Sequence, residues 1–392
     1  MPHHSLDNVS IDGFRGLRNL ALDGLGPLNL LVGENNSGKT SVLEALSILC
    51  NPYHPHEWLA MVRRRDFGGL DETRIQSLRW CFRQVGHLAI PDFMFDGQCE
   101  MRCVGKFPLR QLRIIYKDIV GEPSSKEVER MNRFRGGSMG SLEIEEEWRG
   151  AEIAHFVNFD PQESQSNVFH TGTHSVIEPI VIQIWEEDRM PGRPYRIRRR
   201  GNLATDTLTP YSYQLNRLQV RSHSFASLTD SIDGRHSVLE LVTKFDPDIT
   251  AIEILSLRGR NPAIYLRHKR LGPAPLSIFG DALRRAVLLA STLYMLKGGG
   301  VLLIDELETG IHVSALAKVF AWLATAARDL GVQVVATTHS LEAVDAVAES
   351  VTDRIDDLVT FHLDQTQEGT RVKRIPGELL LRLRRERGLD VR

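Results

Sequence analysis

The chain has 392 residues, with 48 basic and 50 acidic side chains, so its net charge of -2 neither favours nor excludes a nucleic-acid partner. Hydrophobic residues make up 42%, which is ordinary for a globular protein, and no run of about 18 apolar residues predicts a membrane span. Four cysteines are too few for a disulfide framework in a chain of this length, and the N-terminus carries no secretory signal pattern. We therefore expect reduced thiols, a cytoplasmic protein and no membrane partner. Cys99 and Cys103 do not predict a metal site, because no second pair of ligands follows them.

The first 50 residues predict short strands and then a helix. Alternating apolar patterns occur at 9–11 and 20–22, and a compact apolar run occupies 28–32. After a loop that contains glycines, apolar residues recur at helical spacing between 42 and 49. This arrangement is typical of a strand, a loop and a helix that begin an α/β domain.

The segment from about 56 to 215 has a different character. Runs of β-branched and aromatic residues, at 114–116, 176–177 and 180–185, alternate with polar breaks and predict antiparallel strands joined by long loops. The polar stretch 122–140 has no clear period, and we expect a loop there.

From residue 224 onwards, helices return and then alternate with strands. Long coiled-coil arms are not expected, because no heptad pattern is sustained. The predicted elements are a helix within 224–245, strands at 252–255 and 263–266, a helix at 280–296, a strand at 301–304, a helix at 313–330, a strand at 332–337, strands within 358–374 and a basic helix at 378–387 that begins after Pro376.

A phosphate-binding loop is predicted between the third strand and the first long helix. Glycines let the backbone curl so that its N–H groups converge on phosphate oxygens, and the helix N-terminus that follows favours an anion. Lys39 would bind the β and γ phosphates of ATP, and the hydroxyl of Thr40 suits Mg²⁺. The residues predicted to bind nucleotide here are Gly33, Glu34, Asn35, Asn36, Ser37, Gly38, Lys39, Thr40 and Ser41.

Two later strands end in residues that suit phosphate chemistry. The apolar run 301–304 leads into Asp305, which would hold Mg²⁺ through its waters, and Glu306, which would polarise the attacking water. The strand at 332–337 leads to His339, which would contact the γ-phosphate. Alone, an acidic strand end is as readily a solvated turn, and a lone histidine is more often structural. In combination with the phosphate loop, they predict an ATPase with Lys39, Glu306 and His339 as catalytic residues.

These motifs resemble the ABC-type ATPases of the SMC/RecF/OLD group. The resemblance covers 11–17 and 28–46 in the N-terminal part, and 276–285, 304–312 and 337–340 in the C-terminal part. The C-terminal part is similar to the branch that includes OLD-family nuclease ATPases and stand-alone bacterial defence ATPases. About half of the chain is covered, and the segment 56–215 is not.

The resemblance implies an α/β fold: an ABC-ATPase head with a central, mostly parallel sheet, an antiparallel β lobe and an inserted β-rich and helical domain. The N-terminal half of the head would occupy 1–55 and the C-terminal half 276–392, with the inserted lobe at 56–223 and a helical and strand connection at 224–275.

The resemblance also implies further site residues. Ser277, Gly280 and Asp281 would form the signature motif that caps the ATP held by an opposite head, and 308–310 would cross the seam between the two heads.

Arg15 would lie near the nucleotide, and a glutamine, Gln84 or alternatively Gln76, would contact Mg²⁺. Ala282 departs from the glycine that this branch often has, which bears on the rate of hydrolysis more than on nucleotide binding. Only about fifty residues follow His339, so we expect no TOPRIM domain and no nuclease activity of the chain's own.

Three basic clusters, at 63–65, 196–200 and 382–387, could follow a DNA or RNA backbone. Each is equally explained as solvated arginines paired with nearby acids, and no aromatic residues alternate with them as in a platform for single strands. We interpret each cluster alone as solvated. Contact of an assembled dimer with DNA or RNA rests mainly on the resemblance.

The sequence therefore predicts a homodimer, or a higher homo-oligomer, that binds ATP and Mg²⁺ and hydrolyses ATP slowly. Its output would act on a separate effector, a nuclease or a toxin, in anti-phage defence or DNA maintenance. An alternative is a scaffold that holds and releases the effector according to bound ATP. A transporter ATPase is disfavoured, because an inserted domain is present and a clean transporter signature is not.

Overall fold

The computed structural model describes residues 4–52, 55–65, 74–84, 95–121, 148–160, 179–185, 202–210, 232–255 and 263–392. The strand expected at 176–177, the loop expected at 122–140 and the basic cluster at 196–200 lie outside these residues. Within the described part of the chain, no helix combines the length and the apolar character needed to cross a membrane.

The elements follow one another in an order that begins with strands, passes through a β-rich segment and ends in alternating strands and helices. In chain order they are β1 (Asn8–Asp12), β2 (Leu20–Asp23), β3 (Leu28–Val32), α1 (Lys39–Cys50), α2 (Pro55–Arg65), α3 (Arg74–Arg79), β4 (Arg83–Gln84), β5 (Asp96–Val104), β6 (Leu109–Gly121), β7 (Trp148–Phe159), β8 (Ile180–Trp185), β9 (Thr205–Leu208), α4 (Ile232–Thr243), β10 (Ile249–Leu255), β11 (Ala263–His268), β12 (Gly272–Pro275), α5 (Asp281–Met295), β13 (Val301–Ile304), α6 (Val313–Asp329), β14 (Gln333–Thr337), α7 (Leu341–Ser350), β15 (Leu358–Gln365), β16 (Thr370–Pro376) and α8 (Gly377–Arg385).

A six-stranded sheet in the order β16-β15-β3-β14-β13-β9 forms the centre of the head. All neighbouring strands in it are parallel except β16, which pairs antiparallel with β15. Parallel strands end at the same edge of a sheet, and ligands of open α/β sheets bind outside these carboxyl ends. The order therefore brings the loops after β3, β14 and β13 to one edge.

The central strands are buried from end to end, because the sheet is covered on both faces. Successive side chains point to opposite faces. Leu30 and Leu302 join a core with residues of α4, α5, α6 and α7, while Leu31 and Leu303 join a second core with α1 and the strands of the β lobe. These two apolar cores hold the loops at the sheet edge in fixed positions.

A second sheet of seven strands forms the β lobe, in the order β2-β1-β5-β6-β7-β8 with β4 beside β5. Its neighbouring strands are antiparallel, and burial alternates along β5, so one face packs on the core. The predicted α/β class, with a mostly parallel central sheet and an antiparallel lobe, is confirmed.

Two helices, α2 and α3, also lie in this part of the chain and connect the β lobe to α1. Trp58 of α2 is fully buried, stacks on Phe82 with ring centroids 5.0 Å apart, and donates its indole N–H to Nε2 of His155, 3.0 Å away. Burial lowers the pKa of His155 to about 4, so this ring is neutral near pH 7 and can accept that bond.

The strand β9 joins the two parts of the molecule. It lies within the range 56–223 but pairs parallel with β13 in the central sheet, with Leu208 opposite Ile304. A third sheet, β10-β11-β12, is antiparallel and leads into α5.

Candidate functional site

The loop that joins β3 to α1 has the backbone conformation of a phosphate loop. Gly33 and Gly38 have φ angles of 146° and 93°. A Cβ atom at Gly33 would lie 2.4 Å from the carbonyl oxygen of Leu363, so both conformation and space require glycine there. The loop also receives a bond that the sequence did not predict, from Nε2 of Gln365 on β15 to the carbonyl oxygen of Ser37, over 3.2 Å.

The side chain of Lys39 lies inside the curve of this loop. Its Nζ donates to the carbonyl oxygens of Gly33, at 2.6 Å, and Glu34, at 2.8 Å. Burial lowers the pKa of Lys39, while the carboxylates of Asp305, Glu308 and Glu306 oppose the shift. The lysine predicted to bind phosphate is therefore close to the acids at the ends of the neighbouring strands.

Asp305 follows β13 and meets the start of α1. The Thr40 hydroxyl lies 3.0 and 3.2 Å from its two carboxylate oxygens, and the Thr337 hydroxyl donates to Oδ1 over 2.7 Å. Burial raises the pKa of Asp305, and the two threonine bonds oppose that rise. Hydroxyl and carboxylate oxygens at this spacing form the all-oxygen donor set that Mg²⁺ prefers, so the residues present fit this ion.

Glu306 has a left-handed backbone, with φ of 52°, which is uncommon for a residue with a side chain. Its N–H donates to the Thr337 hydroxyl over 2.9 Å, and its Oε2 accepts from the Thr309 hydroxyl over 2.8 Å. These contacts hold the carboxylate of Glu306 beside Asp305. Thr337 contacts both acids and was not predicted as a site residue.

His339 lies after β14 and is 58% exposed. Its Nδ1 lies 3.4 Å from Oε1 of Glu308, and the same carboxylate oxygen accepts its backbone N–H over 3.2 Å. The structure thus brings together Lys39, the two acids after β13 and the histidine strand, as the sequence predicted. The contact between Glu308 and His339 was not predicted.

A buried arginine supports the loop that carries Glu306. Arg285 of α5 is 1% exposed, and its Nη2 donates to the carbonyl oxygens of Glu306, at 2.8 Å, and Leu307, at 2.9 Å. Its Nη1 donates to the carbonyl of Thr309. One guanidinium therefore satisfies three carbonyls of the acidic turn and links it to the helix after the signature residues.

We expect the change Arg285→Ala to lower the free energy of unfolding by about 3–5 kcal/mol, because it leaves buried carbonyls without their donor and opens a cavity. Urea unfolding monitored by circular dichroism measures this loss. The control is Arg328→Ala at an arginine of α6 that is 51% exposed, which should cost less than about 1 kcal/mol. Equal stability of the two variants would contradict this role for Arg285.

The predicted signature residues lie on the surface. Leu276–Ile278 form a short 3-10 helix that contains Ser277, and Gly280 caps the N-terminus of α5, where Asp281 forms an ion pair with Arg284. Ser277, Gly280 and Asp281 are all exposed. A Cβ atom at Gly310 would lie 4.0 Å from that of Asp281, so the loop 308–310 borders this surface.

Arg15 forms an ion pair with α1. Its Nε lies 2.7 Å from Oε2 of the buried Glu44 on α1. Gln84 is exposed on β4, and Gln76 lies on α3, where both line a cleft that also contains Arg15. The assignment of Gln84 or Gln76 to Mg²⁺ stays a prediction.

Two family models match the chain. The model described as “AAA ATPase domain” matches residues 5–101, and the model described as “AAA domain, putative AbiEii toxin, Type IV TA system” matches residues 173–345. A curated relative named “ATP/GTP phosphatase”, from Helicobacter pylori, is 20% identical over 361 residues, which cover 89% of this chain and 89% of the relative.

A second relative is a “DNA replication and repair protein RecF” from Saccharophagus degradans, which is 40% identical over 65 residues. The match covers 16% of this chain and 17% of that protein, so it concerns a small part of RecF. Among solved structures, an SMC head bound to the C-winged helix domain of ScpA matches with a TM-score of 0.50 and 10% identity, over 95% of this chain and 98% of that one. At this identity the likeness shows the fold alone.

A phosphate loop, an acidic strand end and a histidine strand on a head fold define an ABC-type ATPase. The chain is an ATPase, and its matches to two ATPase family models, to an ATP/GTP phosphatase and to part of RecF support an SMC/RecF/OLD-like ABC ATPase.

Proposed function

We propose that two copies of the chain bind face to face around two ATP–Mg²⁺ and hydrolyse ATP slowly. The resulting change in conformation would drive or license a separate effector, a nuclease or a toxin, in anti-phage defence or DNA maintenance. The observation that carries this proposal is the exposure of Ser277, Gly280 and Asp281 at the start of α5. The first backbone N–H groups of a helix favour an anion, and here they are open to a second molecule.

Each residue has a role that its position supports. The backbone of 33–38 and the ammonium of Lys39 would bind the phosphates, while Thr40 and Asp305 would hold Mg²⁺, which neutralises charge on the phosphates when bound. Glu306, fixed by Thr309, would accept the proton of the attacking water.

The histidine and the seam loop connect hydrolysis to the partner head. His339 would contact the γ-phosphate, and Glu308 would orient it through the shared oxygen at 3.2 and 3.4 Å. Because 308–310 also borders the signature residues, loss of the γ-phosphate would change the seam between the heads. Dissociation of the heads would then be the signal passed to the effector.

The names of similar proteins support the proposed setting. The family model over 173–345 is described with a toxin of a toxin–antitoxin system, RecF is a replication and repair protein, and the similar SMC head is bound to a domain of another protein. An ATPase head whose conformation controls a separate effector agrees with each of these three descriptions.

A mixing experiment tests whether the sites are shared between two copies. Ser277→Arg places a bulky cation at the signature surface, so the variant should bind ATP but hydrolyse almost none. Lys39→Ala should be inactive because its own phosphate loop fails. In a mixed dimer, however, the intact loop of one copy faces the intact signature of the other, and an equal mixture should regain about a quarter of wild-type activity.

ATP turnover by the mixture, compared with each variant alone, provides the measurement. Sedimentation velocity with a non-hydrolysable ATP analogue checks that the wild type forms a dimer. If Ser277→Arg hydrolyses ATP normally, or if the mixture stays inactive although both variants are folded, shared sites are excluded.

A further inference from the structure

A cleft of about 790 Å³ lies between the loop that joins β1 to β2 and the segment α3–β4. Arg15 and Arg18 line it from the first side, and Arg79, Trp80 and Arg83 line it from the second. No residue of the phosphate loop is among its described lining. These arginines come from two parts of the chain about sixty residues apart, so they do not form one of the basic clusters seen in the sequence.

Two of these arginines have fixed partners inside the protein. Arg15 pairs with Glu44, and Arg79 pairs with Asp118, a buried acid that lies 2.7 Å from its Nη2. Arg18 and Arg83 are exposed, and neither forms an ion pair within the described residues. No aspartate or glutamate is part of the described lining of this cleft, so within the described residues these two arginines have no paired carboxylate there.

The same cleft exposes a large aromatic ring. Trp80 is 71% exposed, whereas Trp58 and Trp322 are buried in the apolar cores. An exposed indole has a free face on which a planar group can stack. Stacking on an aromatic ring, combined with cations that contact phosphates, is how proteins bind unpaired nucleotides.

We propose that this cleft binds single-stranded nucleic acid, with a base stacked on Trp80 and the adjoining phosphates on Arg18 and Arg83. A duplex does not suit the cleft, because its bases are already stacked on each other and their faces cannot reach an indole. A second cleft of about 420 Å³ shares Arg83 but is also lined by Asp12 and Glu100, whose carboxylates would repel phosphates, so we place the strand in the larger cleft. The proposal goes beyond ATP hydrolysis and does not depend on head dimerisation.

The larger cleft also suggests why the strand would matter to the ATPase. Arg15 lines the larger cleft and contacts α1, the helix that carries Thr40, through Glu44. A strand bound in the cleft would therefore contact Arg15, which is paired with α1. The test below measures strand binding without nucleotide, so a failure of the proposed head dimer does not affect it.

Fluorescence anisotropy of a labelled 20-nucleotide oligo(dT), with the full chain at low salt, measures the interaction. Trp80→Ala should weaken binding roughly 5- to 100-fold, and Trp80→Phe should restore much of it, because a ring is what stacks. The double variant Arg18→Gln/Arg83→Gln should reduce the slope of log affinity against log salt by about 1.4, or 0.7 for each lost phosphate contact. Arg328→Gln is the control, at an arginine of α6 that is 51% exposed and lies outside the cleft and the three basic clusters.

Two further measurements separate the alternatives. A blunt duplex of the same length should bind more weakly than the single strand, and a fluorescent ATP analogue should bind Trp80→Ala as it binds the wild type. The proposal is overturned if the wild type does not bind the strand, or if the duplex binds equally well. It is also overturned if Trp80→Ala binds the strand as tightly as Arg328→Gln does. A Trp80→Ala variant that loses ATP binding but keeps strand binding would overturn it too, since the cleft would then serve the base of ATP.

Discussion

The change Lys39→Ala is expected to abolish ATP binding, with a loss of affinity of at least about a hundredfold, because it removes a charge-assisted bond to phosphate. Lys39 lies inside the loop, with its Nζ 2.6 Å from the carbonyl oxygen of Gly33. Isothermal titration with ATP and Mg²⁺ measures the loss.

The matched control for this prediction is Lys318→Ala, at an exposed lysine of α6. Thermal unfolding of both variants without nucleotide separates loss of the site from loss of the fold. Tight ATP binding by a folded Lys39→Ala variant would refute the assignment of the phosphate loop.

The change Glu306→Gln is expected to lower the rate of ATP hydrolysis by at least about a hundredfold while ATP still binds, because an amide cannot accept the proton of water. The amide oxygen of glutamine can still accept the bond from Thr309, so the loop should keep its conformation. ATP would then persist in the closed state, and a dimer should accumulate.

Phosphate release measures the rate, and size-exclusion chromatography with ATP and Mg²⁺ measures the dimer. Glu349→Gln is the control, because it removes one carboxylate from the exposed face of α7. Hydrolysis by Glu306→Gln at the wild-type rate would show that another group activates water.

The phosphate loop, β13 and β14 could be predicted because their signals are local. A fully buried strand of a parallel sheet appears in the sequence as a short continuous apolar run, and 28–32 and 301–304 coincide with β3 and β13. The glycines and Lys39 mark the loop directly. Pro376 likewise marks the start of α8, which it caps.

The supporting residues could not be predicted, because their contacts join distant parts of the chain. Gln365 bonds to Ser37, and Arg285 bonds to the turn after β13, and neither partner has a fixed spacing in sequence. The helices α2 and α3 were not specified either, since they are short and lie among β-branched and aromatic runs. The helix α2 is stabilised by the packing of its Trp58 in the core, a contact with distant residues that the sequence does not reveal.

In the described residues, runs of arginines in the sequence did not predict where arginines without an ion pair would lie. Arg64 pairs with Glu57, and Arg384 forms two bonds of 2.7 Å with Asp345, so the expected pairing with acids is present. These side chains are only 17% and 14% exposed, however, so they are not solvated as expected. Arg18 and Arg83, which form no ion pair within the described residues, instead line one cleft although they are distant in sequence.

The position of β9 limits how the β-rich segment can be removed. Since β9 is the outermost strand beside β13, a deletion of 56–223 would take it away and leave one side of β13 with unpaired N–H and C=O groups. In such a shortened chain, the apolar strand β13 would become an exposed edge strand, which favours self-association. A shortened protein that retains 205–208 would keep β13 paired with β9. Expression of the two deletion variants side by side would therefore separate the effect of losing the β-rich segment from aggregation caused by the exposed edge of β13.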